Sequence, residues 1–425
     1  MSNRTASTLS FCGRVSELET LQARWRLACN VEEPSPQVVV IKAERGLGKT
    51  RLVLEFYKWL RENEDGWLTK SYWPDATDIV DRNLDVNPDP SKCRLSDVPI
   101  PYLWWGLRAA DVGAENGVAA DAIATYDRFL APHLAALFLK SEMVHHGWSL
   151  AKAMASVGID FATSALTIDK FVSVGKGILR TAEILLGAAN KQTLNEAMER
   201  SFSRADSVLD DLRREFRPGT LTCAKVPGVI FMDDAQFIHE DPALPSFVER
   251  LLYRCVTERW PVLIIVTHWR TELAPELAES ASSFARIVKH AREGLPTEPS
   301  PIYCLPGGYL TGDHFAEIDL KPVPDLSRAL REKLPGLTAE QSSMILEKTG
   351  GNPRYLEQLI LFLVEHIGLF ENFDLLQRLT PEGLDEMLSA MQHGGIVDIV
   401  LRRLQKAPVE VLCRFSVNER RSVIR

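Results

Sequence analysis

Uninterrupted runs of apolar residues recur along the chain, and most are rich in β-branched side chains. The runs at residues 38–41, 229–232 and 262–266 contain no polar residue. Runs of this length and composition are typical of parallel strands that are buried on both faces. Residues 315–323, FAEIDLKPV, predict one further strand, and residues 50–60 place apolar side chains near one helical face. This alternation of strands and helices predicts an α/β fold with a parallel sheet flanked by helices.

Two parts of the chain fit this alternation less directly. Residues 102–105 bring Tyr102, Trp104 and Trp105 together near a further predicted strand, where they form either packed core or a partner-binding surface. Residues 119–216 are rich in alanine, almost free of proline and compatible with helices. We interpret them as a helical insertion that stands off the sheet and packs internally or against another protomer.

Composition and charge restrict the class of protein. The 425 residues are 45 % hydrophobic and 25 % charged, which is ordinary for a globular protein that needs no disulfide or metal for stability. The net charge of −8 argues against a general nucleic-acid or membrane-surface binder and leaves a local basic patch open. The cysteines show neither a CxxC pair nor zinc-ligand spacing. The N-terminus lacks a signal-peptide pattern and charges interrupt the apolar stretch at residues 151–190, so we expect a cytoplasmic protein without a membrane span.

The first apolar run leads into the loop AERGLGKT, residues 43–50, and then into a predicted helix. Strand, small-residue loop and helix in this order are the context of a phosphate-binding Walker A loop. Gly46 and Gly48 allow backbone N–H groups to face phosphate oxygens, and a helix that starts at Lys49 favours an anion. Lys49 is expected to reach the β- and γ-phosphates, and the Thr50 hydroxyl to bind Mg²⁺. The residues expected to contact the nucleotide here are Ala43, Glu44, Arg45, Gly46, Leu47, Gly48, Lys49, Thr50 and Arg51.

A second motif distinguishes this loop from an accidental match. The run at residues 229–232 ends in Asp233 and Asp234, and acids at the carboxyl end of a parallel strand face the ligand crevice of the sheet. Asp233 is expected to hold Mg²⁺ through water, and Asp234 to polarise the attacking water. The alternative is that the two acids only form a turn after the strand. The phosphate loop earlier in the chain argues against this alternative. A nucleotide with Mg²⁺ is therefore the expected ligand.

The third apolar run, at residues 262–266, supplies two further candidates just past its end. Thr267 is placed to sense the γ-phosphate or the attacking water. Arg270 is placed to neutralise the negative charge that develops in phosphoryl transfer, although a surface arginine in a turn is the alternative. Lys49, Asp233, Asp234, Thr267 and Arg270 are the expected catalytic residues.

Five segments occur in an order that resembles the STAND group, the signal-transduction ATPases with numerous domains within the AAA+ class of P-loop NTPases. They are FCGRVSELETLQ, AERGLGKT, VIFMDDAQ, LIIVTHWR and TGGNPRYLEQLILFL. The resemblance runs from Phe11 to Arg403 and is weak between the Walker A and Walker B motifs. It implies that the nucleotide is ATP or ADP.

The resemblance also implies contacts outside the two Walker motifs. Gly13 and Arg14 correspond to the residues that pack against the base and ribose. Gly351 and Pro353 correspond to a turn that approaches the adenine, where a rigid proline holds a backbone edge in place. A helix that stops and restarts is the alternative for this turn.

Four parts of the chain follow from these assignments. Residues 1–36 are a helical lead-in with the GR motif, and residues 37–325 are the P-loop ATPase core. Residues 326–392 form a small helical lid domain with a helix start in LTAEQ, and residues 393–425 resemble an incomplete winged-helix segment. We see no effector before Phe11 or after residue 425, and therefore expect another subunit, or the rest of a longer protein, to supply sensing and output.

The expected function is an ATP-driven molecular switch with slow hydrolysis, in which nucleotide state controls homo-oligomeric assembly and an effector or sensor elsewhere. The resemblance implies bacterial antiviral defence as the biology. One alternative is a ring-forming ATPase motor that remodels protein or DNA and takes an arginine from a neighbouring subunit. The other is a nucleotide-stabilised scaffold with little hydrolysis. The arginines available for the motor include Arg204, Arg213, Arg214 and Arg217.

Overall fold

The computed structural model describes a sheet, the helices around it and a three-helix segment after it. The described residues are 9–30, 33–63, 86–88, 102–109, 123, 125–131, 194–216, 226–241, 243–270, 282–294 and 305–367. Most of the predicted insertion, the end of the predicted lid domain and the predicted winged-helix-like segment lie outside the described residues.

Five strands form one parallel sheet in the described part of the chain. They are β1 Gln37–Ala43, β2 Leu103–Arg108, β3 Gly228–Asp233, β4 Val262–Trp269 and β5 Phe315–Asp319. Their order across the sheet is β2-β3-β4-β1-β5, and every pair of neighbours is parallel. The central strands β3, β4 and β1 are almost entirely buried, as their uninterrupted apolar sequences require. The predicted α/β fold with a parallel sheet flanked by helices is confirmed.

Helices cover both faces of this sheet. They are α1 Val15–Ala28, α2 Lys49–Asn63, α3 Thr125–Phe129, α4 Leu194–Phe216, α5 Leu244–Thr257 and α6 Ser283–Glu293. Successive strand residues point to opposite faces, so a single strand contributes to two cores. Val39 and Ile41 pack with α1 and α2, whereas Val38 and Val40 pack with α4, α5 and α6. The sheet is therefore the middle layer of three.

The aromatic residues of the segment at residues 102–105 belong to the core. Tyr102, Trp104 and Trp105 are all buried, and the ring of Trp104 packs edge-on against Tyr57 of α2. Both indole N–H groups are also satisfied, since Trp104 Nε1 donates to the Val86 carbonyl and Trp105 Nε1 to Thr125 Oγ1, each at 3.0 Å. Of the two readings of this segment, packed core is the correct one, because no ring face remains available to a partner.

Helix α4 differs from the expectation of an insertion that stands off the sheet. Its apolar side chains recur every three or four residues and lie in the core between the sheet and α5. They are Ala205, Val208, Leu209, Leu212 and Phe216. Its polar face is joined to α5 by ion pairs, including Asp210 with Arg254 at 3.0 Å. The end of the predicted insertion is thus part of the main fold.

Within the described residues, three helices follow β5 and share a small core of their own. They are α7 Ser327–Lys333, α8 Ala339–Thr349 and α9 Pro353–Ile367, here called the three-helix segment. Leu330, Ile345 and Leu356 are fully buried among them. Thr338 begins α8 with a capping box to Gln341, which matches the predicted helix start. No helix in the described residues is long and apolar enough to cross a membrane.

Candidate functional site

The loop at residues 43–50, here called the phosphate loop, joins the end of β1 to the start of α2. Gly46 and Gly48 have φ values of 84° and 87°, a region that favours glycine. Leu47 between them is buried and anchors the loop to the core. Helix α2 begins at Lys49, so its unpaired backbone N–H groups and positive dipole end lie at the loop. This backbone is suited to an anion.

Lys49 is buried at the base of the loop, with 8 % of its surface exposed. Its Nζ donates long hydrogen bonds to the carbonyl oxygens of Ala43, at 3.5 Å, and Glu44, at 3.4 Å. Burial lowers the pKa of Lys49, and the carboxylates of Asp234 and Asp233 act in the opposite direction. A buried ammonium with such weak partners gains much from a phosphate ligand.

Asp233 is the best connected side chain of the site. Its Oδ1 accepts hydrogen bonds from the hydroxyls of Thr267, at 2.6 Å, and Thr50, at 3.1 Å. Its Oδ2 accepts from the Arg108 guanidinium at 3.1 Å. The carboxylate of β3 therefore connects α2, β4 and β2. A carboxylate beside a hydroxyl at the head of a helix is a donor set of hard oxygens, which fits Mg²⁺.

Asp234 adopts an unusual backbone conformation, with φ 56° and ψ 45°. Its backbone N–H donates to Thr267 Oγ1 at 2.9 Å, and its Oδ1 accepts from Gln236 Nε2 at 3.1 Å. Burial and the neighbouring Asp233 carboxylate raise the pKa of Asp234, against the effects of Gln236, Arg108 and Lys49. Left-handed backbone outside glycine is concentrated at functional sites, where neighbouring contacts maintain it.

Thr267 lies inside β4, because this strand continues three residues beyond the predicted end at residue 266. The extension pairs Thr267, His268 and Trp269 with the end of β1. As a result, the Thr267 hydroxyl accepts from the Asp234 backbone and donates to Asp233, and so connects both acids.

Arg270 lies farther along, between the phosphate loop and β5. Its guanidinium pairs with Asp319, donates to the Leu320 carbonyl at 3.3 Å and lies 3.9 Å from the Glu44 carboxylate. Its backbone N–H donates to the Ala43 carbonyl at 3.1 Å. These contacts hold the start of the phosphate loop to the sheet.

Gly13 and Arg14 lie beside the phosphate loop, and both contact other residues of the chain. Arg14 is 6 % exposed, and its guanidinium donates to the Leu47 carbonyl at 3.3 Å and to the Lys321 carbonyl. Gly13 has φ 67°, and a Cβ atom there would lie 2.7 Å from Val323 Cγ1. Arg14 thus links the loop to the segment that leads into the three-helix segment.

The turn before α9 packs directly on the phosphate loop. Asn352 Nδ2 donates to the Arg45 carbonyl at 3.1 Å, and the Arg354 backbone N–H donates to the Gly46 carbonyl at 3.2 Å. Gly351, at φ 73°, has its carbonyl oxygen 2.8 Å from the Val323 backbone nitrogen. Pro353 is the first residue of α9, a position that suits its fixed φ. The start of α9 therefore faces the phosphate loop.

The predicted loop and acids lie together in the structure, and several residues that hold them were not among the predicted ones. Lys49, Thr50, Asp233, Asp234 and Thr267 form one connected group. The missed residues are Arg108, Gln236, Asn352 and Arg354. Arg108 had a readable signal, since it is the first charged residue after the segment at residues 102–105, near a predicted strand. The others act through tertiary contacts that no local pattern indicates.

Comparison with known proteins gives similarity of structure only. No family model and no curated protein matches the sequence. A Walker-type ATPase of Pyrococcus abyssi matches at 12 % identity and a TM-score of 0.39, over 92 % of this chain and 77 % of that one. The Aeropyrum pernix ORC1 protein in complex with DNA matches at 11 % and 0.38, over 94 % and 69 %. Domain III of the Thermotoga maritima replication initiation protein DnaA matches at 12 % and 0.35, over 90 % and 94 %. At these values no activity of this chain is inferred from them.

Proposed function

We propose that this chain binds ATP and ADP with Mg²⁺, hydrolyses ATP slowly and acts as a nucleotide-dependent switch. The observation that carries the proposal is the hydrogen-bonded chain from Thr50 through Asp233 and Thr267 to Asp234. It joins the phosphate loop to the carboxyl ends of two neighbouring strands, which is where open α/β sheets bind their ligands.

Charge supports a phosphate ligand. Lys49 and Arg45 both interact electrostatically with Asp234, and Arg354 at the start of α9 lies near enough to Arg45 to lower its pKa, although burial is the larger cause. Two helix starts, those of α2 and α9, meet at the same loop. Cations and helix N-termini at one place favour a multiply charged anion such as a triphosphate.

Each residue has a distinct role in this proposal. Lys49 binds phosphate oxygens as a point charge, and Thr50 and Asp233 hold Mg²⁺, which neutralises charge on the β- and γ-phosphates when bound. Asp234 polarises the attacking water and accepts its proton. The raised pKa of Asp234 makes it a stronger base than an ordinary aspartate. Thr267 orients both acids.

Contacts between the phosphate loop and the three-helix segment support the proposed switch. Asn352 and Arg354 bind the carbonyl oxygens of Arg45 and Gly46, so a rearrangement of these peptides on nucleotide binding would move the start of α9. A nucleotide can bias this contact only through different affinities for its two states. We propose that the ATP state exposes an assembly surface and engages an effector, with bacterial antiviral defence as the setting that the STAND resemblance suggests.

The motor alternative has less support in the described residues. It requires an arginine that reaches a neighbouring subunit, and two of the candidates are paired within this chain. Arg213 lies 3.0 Å from Glu258, and Arg204 lies 3.6 Å from Asp127. A switch with slow turnover is therefore the function that we propose.

The test is the mass distribution of the purified chain with ADP and with a slowly hydrolysed ATP analogue, beside a direct binding measurement. Lys49→Ala should lose nucleotide binding and stay small. Lys58→Ala, on the same helix and paired with Glu55 at 3.2 Å, is the matched control and should behave as wild type. Failure of the wild type to bind either nucleotide would remove the proposal; binding without assembly would remove only the switch.

A further inference from the structure

Arg108 forms a nearly buried ion pair inside the candidate site. It is the last residue of β2 and stands opposite Asp233 in the register of β2 and β3. Its guanidinium lies 3.1 Å from Asp233 Oδ2, with side-chain exposures of 14 % for Arg108 and 3 % for Asp233.

The position of this pair coincides with the place proposed for the divalent cation. Asp233 Oδ1 is held by two hydroxyls, and Oδ2 is the oxygen that carries the guanidinium. The Thr50 hydroxyl also lies 3.4 Å from Oδ2. Two cations that share one carboxylate oxygen repel each other strongly in a buried setting. Arg108 therefore supplies the positive charge that Asp233 would otherwise take from a metal ion.

The backbone of β2 is fixed, so a response of Arg108 is confined to its side chain. The Ala109 N–H donates to the Asp233 carbonyl at 3.0 Å and closes the ladder with β3. On the other edge, Asn87 binds both the N–H and the carbonyl of Gly106, each at 2.6 Å. A long arginine side chain on a fixed backbone can exchange one anion for another nearby, and phosphate is an anion that its fork binds well.

We propose that Arg108 occupies Asp233 Oδ2 when no metal is bound, and that its guanidinium turns to the terminal phosphate when Mg²⁺ and ATP are bound. Arg108 is then a ligand-discriminating residue supplied by the same chain. This inference rests on the proposed nucleotide site. In this role, Arg108 neutralises Asp233 before the nucleotide binds. Once Mg²⁺ and nucleotide are bound, it distinguishes ATP from ADP.

The experiment measures the affinity of fluorescent ADP and of a non-hydrolysable ATP analogue, each with Mg²⁺ and with EDTA. In Arg108→Ala, the loss of positive charge beside Asp233 and Asp234 should weaken both nucleotides about tenfold in EDTA. With Mg²⁺ present, ADP affinity should stay within about twofold of wild type, while the ATP analogue should lose about tenfold, since it alone offers the terminal phosphate. Arg254→Ala, an ion-paired arginine on α5, is the control and should change nothing.

Two results would overturn the inference. One is an equal loss for ADP and the ATP analogue with Mg²⁺, which would make Arg108 only a support of the sheet. The other is unchanged affinity in all four conditions. If Arg108→Ala does not fold, Arg108→Lys keeps the charge and should retain binding in EDTA but lose part of the discrimination with Mg²⁺. If the wild type binds no nucleotide, or Lys49→Ala binds as tightly, the proposed function fails instead.

Discussion

Asn352 donates a hydrogen bond from its side-chain amide to the backbone carbonyl of Arg45, at 3.1 Å, across 307 positions of sequence. The same side chain accepts from the backbone N–H groups of Arg354 and Tyr355 and so caps α9. One residue therefore starts a helix and fixes that helix to the phosphate loop. The two roles use different atoms of the amide, so mutation can separate them.

Asn352→Asp should keep the helix cap and lose the contact with the phosphate loop, because a carboxylate accepts hydrogen bonds and donates none. We expect its free energy of unfolding to stay close to wild type and its nucleotide affinity to change. Asn352→Ala loses both roles and should cost about 1 kcal/mol in stability. Denaturant unfolding and nucleotide titration of the two variants measure this. If Asn352→Asp and Asn352→Ala lost the same free energy of unfolding, the side-chain oxygen that caps α9 would not be the source of the stability.

Gly46→Ala should be more damaging than Gly48→Ala. Both residues have positive φ, so both substitutions carry a backbone cost of about 1 kcal/mol. A Cβ atom at Gly46 would also lie 2.7 Å from Asn352 Oδ1 and 2.9 Å from Arg354 Cβ, whereas at Gly48 the nearest atom is 3.9 Å away. Limited proteolysis of the three-helix segment should therefore accelerate in Gly46→Ala alone. Similar digestion of both variants would contradict the packing argument.

Asp234→Asn should retain nucleotide binding and lose hydrolysis by about a hundredfold or more, since the amide cannot accept the proton of water. In the wild type, hydrolysis should fall as the pH is lowered through the raised pKa of Asp234, because the protonated carboxyl is no base. Single-turnover rates across pH provide the measurement. Hydrolysis by Asp234→Asn at the wild-type rate would show that Asp234 is not the base, whereas unchanged function of a variant that no longer hydrolyses ATP would favour the scaffold alternative.

The same substitution should change the dependence of stability on pH. A carboxyl whose pKa is raised on folding holds its proton in the folded state over a pH window where the unfolded chain has lost it. Between the ordinary aspartate pKa and the raised one, the wild-type free energy of unfolding therefore decreases as pH rises. Asp234→Asn lacks this dependence and should be more stable than wild type above the window. If the free energy of unfolding changed equally between acid and neutral pH in wild type and in Asp234→Asn, this prediction would be contradicted.

Arg14→Ala should destabilise the core and loosen the phosphate loop together. Its guanidinium binds the carbonyl oxygens of Leu47 and Lys321, and loss of the partner of a buried acceptor costs about 1–3 kcal/mol. Arg24→Ala, which removes a more exposed arginine from α1, should cost less. Thermal unfolding of the two variants provides the comparison, and an equal change would indicate that the contacts of Arg14 with the two carbonyl oxygens contribute no special stability.

The sequence was informative where a local pattern determines structure. Three apolar runs identified β1, β3 and β4, residues 315–323 identified β5, and the small residues of the phosphate loop identified the turn after β1. The sequence was less informative where the pairing register between strands determines which side chains meet. Thr267 lies within β4 because the strand continues along β1, and Arg108 meets Asp233 because two strands 125 positions apart end together. Residues 194–216 are predicted as part of the insertion because they continue a helix-compatible stretch that is almost free of proline, and their packing against the sheet is a tertiary contact that no local pattern indicates.

The long sequence separation between Arg45 and Asn352 has a consequence for the synthesis of the protein. A chain is synthesised from its N-terminus at about 5–20 residues per second, so roughly 15–60 s pass between the two residues. During that interval the phosphate loop leaves the ribosome long before the residue that will hold it in place. If the loop binds nucleotide as proposed, the nucleotide meets the incomplete core before α9 is synthesised, and a nucleotide bound at that stage stabilises the incomplete protein.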